Sequence, residues 1–261
     1  MKPKANPVHA LHPWFARLLK AALCVASAAG FVVVPSLAHA SVVVQGTRVV
    51  YNGGASQTEV QISNRDDFPN MVQVWVDAGD PQSSPEDHDD RFFLTPPLFR
   101  LQPHSGQALR IKYLEHDLPQ DRETLFYLNV LQVPPVSAEQ MESNKVLLMI
   151  RSRLKLFYRP ESIHADPSTA GDALAFEVEQ RDEGMVLLAK NPSPFFVTLT
   201  GVTLSSKAGG YSVESRMIAP FAQQVWLLDD PSVLEKPELV VEYQWLDDTG
   251  GGRQQKAAVQ R

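Results

Sequence analysis

The segment NKVLLMIRSRLKLFYRP, residues 144–160, organises the whole chain. Its even positions, Val146, Leu148, Ile150, Ser152, Leu154, Leu156 and Tyr158, are apolar at every place but one. Its odd positions begin apolar at Leu147 and Met149 and turn basic at Arg151, Arg153 and Lys155. Successive side chains of a strand point to opposite faces. The pattern therefore predicts one long strand, apolar on both faces at its start and basic on one face near its end. Two architectures fit it. One is a buried sandwich strand with a solvated basic face. The other is a strand with an unmet apolar face, built to pair with another chain, and a cation at its base.

Outward from this strand, the sequence breaks into short apolar runs separated by turn residues. Strands are expected at 42–44, 47–51, 58–63, 71–77, 98–101, 108–113 and 125–133, with turns every 8–12 residues. Trp75 lies in an early strand, where a tryptophan is expected to fill the space between two sheets. After Pro160 the strand and turn signals restart, with runs at 175–180, 185–190, 195–204, 211–215, 223–228 and 239–245. The glycines at 250–252 read as a turn and the polar tail from Asp247 as a mobile end. The expected fold is all-β, as two immunoglobulin-like β-sandwich domains spanning 41–160 and 161–261.

Residues 1–40 read as a cleaved signal peptide. Lys2, Lys4, Arg17 and Lys20 form a positive region, residues 21–34 carry no charge, and Ala38-His39-Ala40 fits a small-x-small cleavage site before Ser41. The apolar run is shorter than the roughly 20 residues a membrane span needs, so no membrane anchor is expected in the mature chain. Cys24, the single cysteine, falls inside this leader, so the exported chain holds its fold without disulfides. Loss of the four leader cations leaves 20 basic against 30 acidic residues, a net charge of −10. That balance argues against nucleic-acid binding.

Catalytic signatures are missing. The chain has no G-x-S-x-G elbow, no H-E-x-x-H and no phosphate-cradling glycine loop. The acidic run Glu86, Asp87, His88, Asp89, Asp90 lacks the spacing of a calcium loop and reads as a solvated loop. The histidines of the mature chain, His88, His104, His116 and His164, lie far apart in polar connections. No enzyme, metal site or cofactor is expected.

The motif LPQDRETLFYLNVLQVPP at 118–135, followed by KLFYRP at 155–160, resembles the periplasmic pilus-assembly chaperones. Further matches are GTRVVYNG at 46–53, QVWVD at 73–77, TPPLFRLQP at 95–103 and NPSPFFVTL at 191–199, so the resemblance covers nearly the whole mature chain. It implies two sandwiches in a boomerang arrangement with a subunit-binding cleft. It also implies no enzymatic activity, and delivery of pilus or fimbrial subunits to an outer-membrane usher. The implied mechanism is donor-strand complementation, in which the long strand fills the gap of an incomplete subunit sandwich. The resemblance assigns Arg48 and Lys155 as anchor of the subunit's C-terminal carboxylate. It assigns Val146, Leu148 and Ile150 to the subunit groove, which leaves Leu147 facing the chaperone's own core. An interdomain charge network maps to Arg110, Glu123 and Asp248, with Asp247 adjacent as an alternative. The short loop at 136–143, without a cysteine pair, favours the branch serving rod-like pili.

One mismatch stands in the strand itself. Lys155 has the opposite parity to Val146, Leu148 and Ile150, so a bulge or strong twist is needed to bring all four to one partner. A second class of function shares the fold: a secreted immunoglobulin-like adhesin or structural fibre subunit. A plain adhesive module has no need of the cation pair beside an apolar strand. An exposed apolar strand also allows self-association of the free protein.

Overall fold

The computed structural model describes residues 41–114, 117–135, 146–206, 209–228 and 239–260. The expected leader at 1–40 with its expected cleavage site, the loop at 136–143 and His116 lie outside the described residues. The first half is built from nine strands: β1 (Val42–Val44), β2 (Arg48–Asn52), β3 (Thr58–Asn64), β4 (Asn70–Asp77), β5 (Phe92–Thr95), β6 (Leu98–Leu101), β7 (Gly106–Tyr113), β8 (Thr124–Val133) and β9 (Ile150–Arg159). They form two sheets, ordered β1-β3-β7-β5 and β2-β9-β8-β4-β6. Between the sheets, alternate side chains meet in one core that includes Val49, Ile62, Val72, Leu109, Ile111, Phe126, Leu128 and Leu156. Tyr51, Phe92, Tyr113, Phe126 and Tyr158 close its end as an aromatic cluster, with Phe92 and Phe126 edge-on at 4.8 Å.

The second half contains β10 (Ala175–Arg181), β11 (Gly184–Lys190), β12 (Val197–Ser206), β13 (Gly209–Val213), β14 (Met217–Ile218), β15 (Gln223–Leu227), β16 (Val240–Leu246) and β17 (Gly252–Gln260). It has its own core, with Phe176, Leu187, Leu199, Leu204, Trp226, Val241, Tyr243 and Trp245. Its strands form one continuous sheet, β13-β12-β16-β17-β10-β11-β15, with β14 on β12. The linking element is β17, antiparallel to β16 along its length and parallel to β10 at Phe176↔Val259.

Three expectations are corrected. The tail after Asp247 is strand β17. Gly250, in the left-handed region at φ 83°, turns the chain back so that backbone pairing with β16 orders a segment whose side chains carry little apolar signal. Trp75 does not fill the space between the sheets. It has the opposite parity to the core residues Val72, Val74 and Val76 and lies buried on the outer face, its indole donating to the Ser83 hydroxyl at 3.1 Å. Finally, the long strand starts at Ile150 rather than at residue 144, because its neighbour β8 ends at Val133 and Gln132 already pairs with Ile150. Residues 146–149 have no sheet partner among the described residues.

Candidate functional site

Strand β9 pairs with β8 in unbroken antiparallel register from Gln132↔Ile150 to Thr124↔Tyr158, all of its length but Arg159. On its other side, β2 runs parallel to it and pairs only from Arg48↔Lys155 to Asn52↔Arg159. Among the described residues, one edge of β9 is therefore open over residues 150–154. No bulge interrupts the strand, so Lys155 and Ile150 stay on opposite faces, and the expected re-aiming does not occur within 150–159.

Beyond the sheet the chain is apolar and bare. Val146 is 95% exposed and Leu148 72%, and Met149 and Ile150 are about half exposed. Leu147, expected to face the core, is 47% exposed. Among the described residues no strand lies beside this segment and no sheet beneath it, so neither of its faces is covered by them.

Arg48 and Lys155 sit side by side where β2 meets β9. The Lys155 ammonium donates to the Thr198 hydroxyl of β12 at 3.3 Å. Arg48 donates through Nη1 to the Leu246 carbonyl of β16 at 3.2 Å, and its guanidinium lies 5.9 Å from the centre of the Phe157 ring. Arg48 Nε is buried with no hydrogen-bond partner among the described residues. Neither cation makes an ion pair among them. Burial pushes the Lys155 ammonium below its ordinary value, and the neighbouring Arg48 charge adds to that. Burial also lowers Arg48, against the pull of Asp248, Asp247 and Glu123. Two half-buried like charges, one with an unused donor, make a site that an anion would complete.

Beside this pair the two sandwiches are pinned together through Arg159. Its guanidinium donates to Glu123 Oε1 at 2.9 Å and to both Asp248 oxygens at 2.8 and 2.9 Å. Glu123 Oε2 accepts from the Phe196 amide at 2.8 Å, and the Glu123 amide donates to the Pro194 carbonyl. Phe157 and Phe196 pack at 5.5 Å across the same junction. Burial pushes the Glu123 carboxyl up, while Arg159 and the Phe196 amide pull the other way.

Glu123 and Asp248 thus meet at Arg159, and Arg110 lies elsewhere. Arg110 lies on β7 opposite Glu59 of β3, more than half exposed, and pairs with that residue at 3.3 Å. Its side chain sits on the outer face of the other sheet and cannot reach Glu123. Asp247, the alternative acid, closes the β16–β17 turn by accepting from the amides of Thr249 and Gly251. Parity carried the signal for Arg159: it is odd, like Lys155, and belongs to the same face.

The chain matches two families over most of its length: "Pili and flagellar-assembly chaperone, PapD N-terminal domain" at residues 41–164 and "Pili assembly chaperone PapD, C-terminal domain" at 169–257. It is similar to the chaperone protein FimB/FhaD of Bordetella pertussis, with 38% identity over 94% of this chain and 98% of that protein. Among solved structures it resembles the CupB2 chaperone of Pseudomonas aeruginosa (31% identity, TM-score 0.67, covering 83% of this chain and 100% of that one). It also resembles the SafB chaperone of Salmonella enterica, solved in complex with the SafA pilin (27% identity, TM-score 0.66, covering 84% and 96%).

Proposed function

The chain belongs to the PapD-like family of pilus-assembly chaperones, and from that premise we propose that it captures fimbrial subunits on the open edge of β9. It is a non-enzymatic chaperone. The observation that carries the reading is continuity. An exposed apolar segment at 146–150 leads into an edge that, among the described residues, has no neighbour at 150–154, and that edge ends at two half-buried cations that make no ion pair among those residues.

Such an arrangement suits one kind of ligand: an extended chain that ends in a carboxylate. A strand added along 150–154 finds unpaired backbone groups. Its terminal carboxylate takes the Arg48 and Lys155 donors. With the carboxylate at the Lys155 end, the added strand must run in the same direction as β9, in line with β2. Val146, Leu148 and Ile150 then serve the subunit's open core. Because Lys155 lies on the other face, the carboxylate is gripped from one side of the sheet while the apolar side chains enter the subunit from the other. The parity mismatch needs no bulge under this reading. An adhesin has no use for such a cation pair.

The working location is the periplasm, after removal of the leader before Ser41. Delivery of the captured subunit to an outer-membrane usher completes the proposed cycle. Self-association through the same bare segment is the expected state of the free protein at high concentration. The test is capture of a fimbrial subunit in periplasmic extract by the wild type and by Lys155→Ala. A folded Lys155→Ala variant that holds subunits at the wild-type level overturns the reading.

A further inference from the structure

The open stretch of β9 is the part of the strand with the fewest backbone neighbours, yet its side chains are the most heavily tied. On the outer face of the sheet, Arg151 and Arg153 converge with Asn129 of β8, with Trp75 and Asp77 of β4, and with Ser83 in the loop after β4. The Asp77 side chain is 2% exposed. Its carboxylate accepts from Arg153 Nη2 at 2.6 Å and Nε at 3.2 Å, from Asn129 Nδ2 at 2.7 Å, from the Gly79 amide at 2.7 Å and from the Ser83 hydroxyl at 3.1 Å.

Arg151 reaches Asp77 directly only as a long ion pair, Nη2 to Oδ2 at 4.0 Å, and is tied in mainly through intermediaries. It donates to Asn129 Oδ1 at 2.9 Å, to the Ser83 carbonyl at 3.1 Å and to the Ser83 hydroxyl at 3.3 Å. That hydroxyl also accepts from the Trp75 indole, so its one proton and both lone pairs are used. Both guanidiniums lie over aromatic rings, Arg153 at 3.6 Å from the centre of Tyr127 and Arg151 at 5.0 Å from that of Trp75. Burial pushes the Asp77 carboxyl up, but the bonds from Arg153, Asn129 and Gly79 outweigh it and hold the group below the ordinary carboxylate range.

A buried ionic cluster is no more stabilising than apolar packing of the same volume, and its best-attested use is to fix register. Here it grips Arg151 and Arg153, two of the five residues of β9 whose backbone has no second neighbour among the described residues, and it stops at Arg153, two residues short of Lys155. We infer that Asp77 is a positioning residue for subunit capture, holding the open edge of β9 rigid and in register with the Arg48–Lys155 pair through Arg153, Asn129 and Arg151. The inference rests on the capture reading above for its consequence, though not for its structural content. A pre-ordered edge receives a strand without first losing its own freedom, so the network acts on the part of the ligand beyond the carboxylate.

Amide hydrogen exchange on the mature chain tests the structural content. Asp77→Asn is expected to speed exchange across residues 150–154 by about tenfold relative to 155–159, the size of one lost charged hydrogen bond. Val60→Ala, a core change in the opposite sheet, is expected to affect both halves alike. Arg151→Gln leaves Asp77 paired with Arg153 and is expected to repeat the pattern more weakly, which serves if Asp77→Asn does not fold. Unchanged exchange at 150–154, or equal loosening of both halves, overturns the inference.

Two synthetic probes test the consequence: a ten-residue alternating apolar peptide with a free carboxylate, and its C-terminal tripeptide. Asp77→Asn is expected to weaken the long peptide by about tenfold and leave the tripeptide unchanged. Equal loss of both, or of neither, counts against positioning. If the wild type binds neither probe, the capture reading fails, while the exchange result still decides the role of Asp77.

Discussion

Leu156 and Leu148 stand on the same parity of the same run of sequence, eight residues apart, yet Leu156 is fully buried and Leu148 is 72% exposed. Residues 155–158 of β9 have β2 on one side and β8 on the other, and their even side chains enter the core. Residues 150–154 keep only β8, and 146–149 have neither. The two leucines are chemically identical, and the number of neighbouring strands is what changes between them. Burial in a sheet depends on what lies beside and beneath a strand, so an apolar alternation that outlasts its neighbours becomes a surface waiting for a partner.

The largest expected effect comes from placing the same charge at both leucines. Leu156→Glu puts a carboxylate into the core and is expected to cost several kcal/mol, about enough to unfold the domain. Leu148→Glu is expected to leave the thermal melt within a degree or two of wild type and to abolish subunit capture, since the carboxylate becomes buried only in the complex. Leu147→Glu is expected to follow Leu148→Glu in the melt, because that side chain is exposed as well. A large loss of stability from Leu148→Glu would break the comparison.

Next is Arg159, at the fully paired end of the strand. Arg159→Ala strands the buried Glu123 carboxyl and is expected to destabilise the protein by about 3–5 kcal/mol, read by chemical denaturation. Glu123→Gln with Arg159→Ala is expected to cost less than the sum of the single changes, because the two side chains share one network.

Lys155→Ala should leave the melt nearly unchanged and weaken capture by about 2–5 kcal/mol, the range for removing one partner of a desolvated charge pair. The same group sets a pH dependence. Lys155 lies below its ordinary value in the free protein, and a bound carboxylate raises it again. Capture is therefore fully present below the free-state pKa and is lost as pH rises through it towards the higher value of the complex, starting below the ordinary lysine value of 10.5. A binding titration on the alkaline side should show this decline in the wild type and lose it in Lys155→Met.

The smallest effect is expected at Arg110. Its pairing with Glu59 is a surface contact, so Arg110→Ala should change stability by about 0.5 kcal/mol or less. A loss comparable to that of Arg159→Ala would return Arg110 to the interdomain network.

By itself, the sequence determined the all-β fold, the alternation that sends Leu156 and Tyr158 into the core, and the cations Arg48 and Lys155 beside an apolar run. These are properties of side-chain type and period, and period survives whatever the strand pairs with. Tertiary structure alone decided that the long strand loses its partners at Ile150, that Trp75 turns outward to Ser83 and Arg151, and that Arg159 rather than Arg110 bridges Glu123 and Asp248. It alone also brought Asp77 to Arg153 across 76 residues and ordered the tail as β17. Each of these depends on which strand ends beside which, and hydrogen-bond partners far apart in the chain leave no period for the sequence to carry.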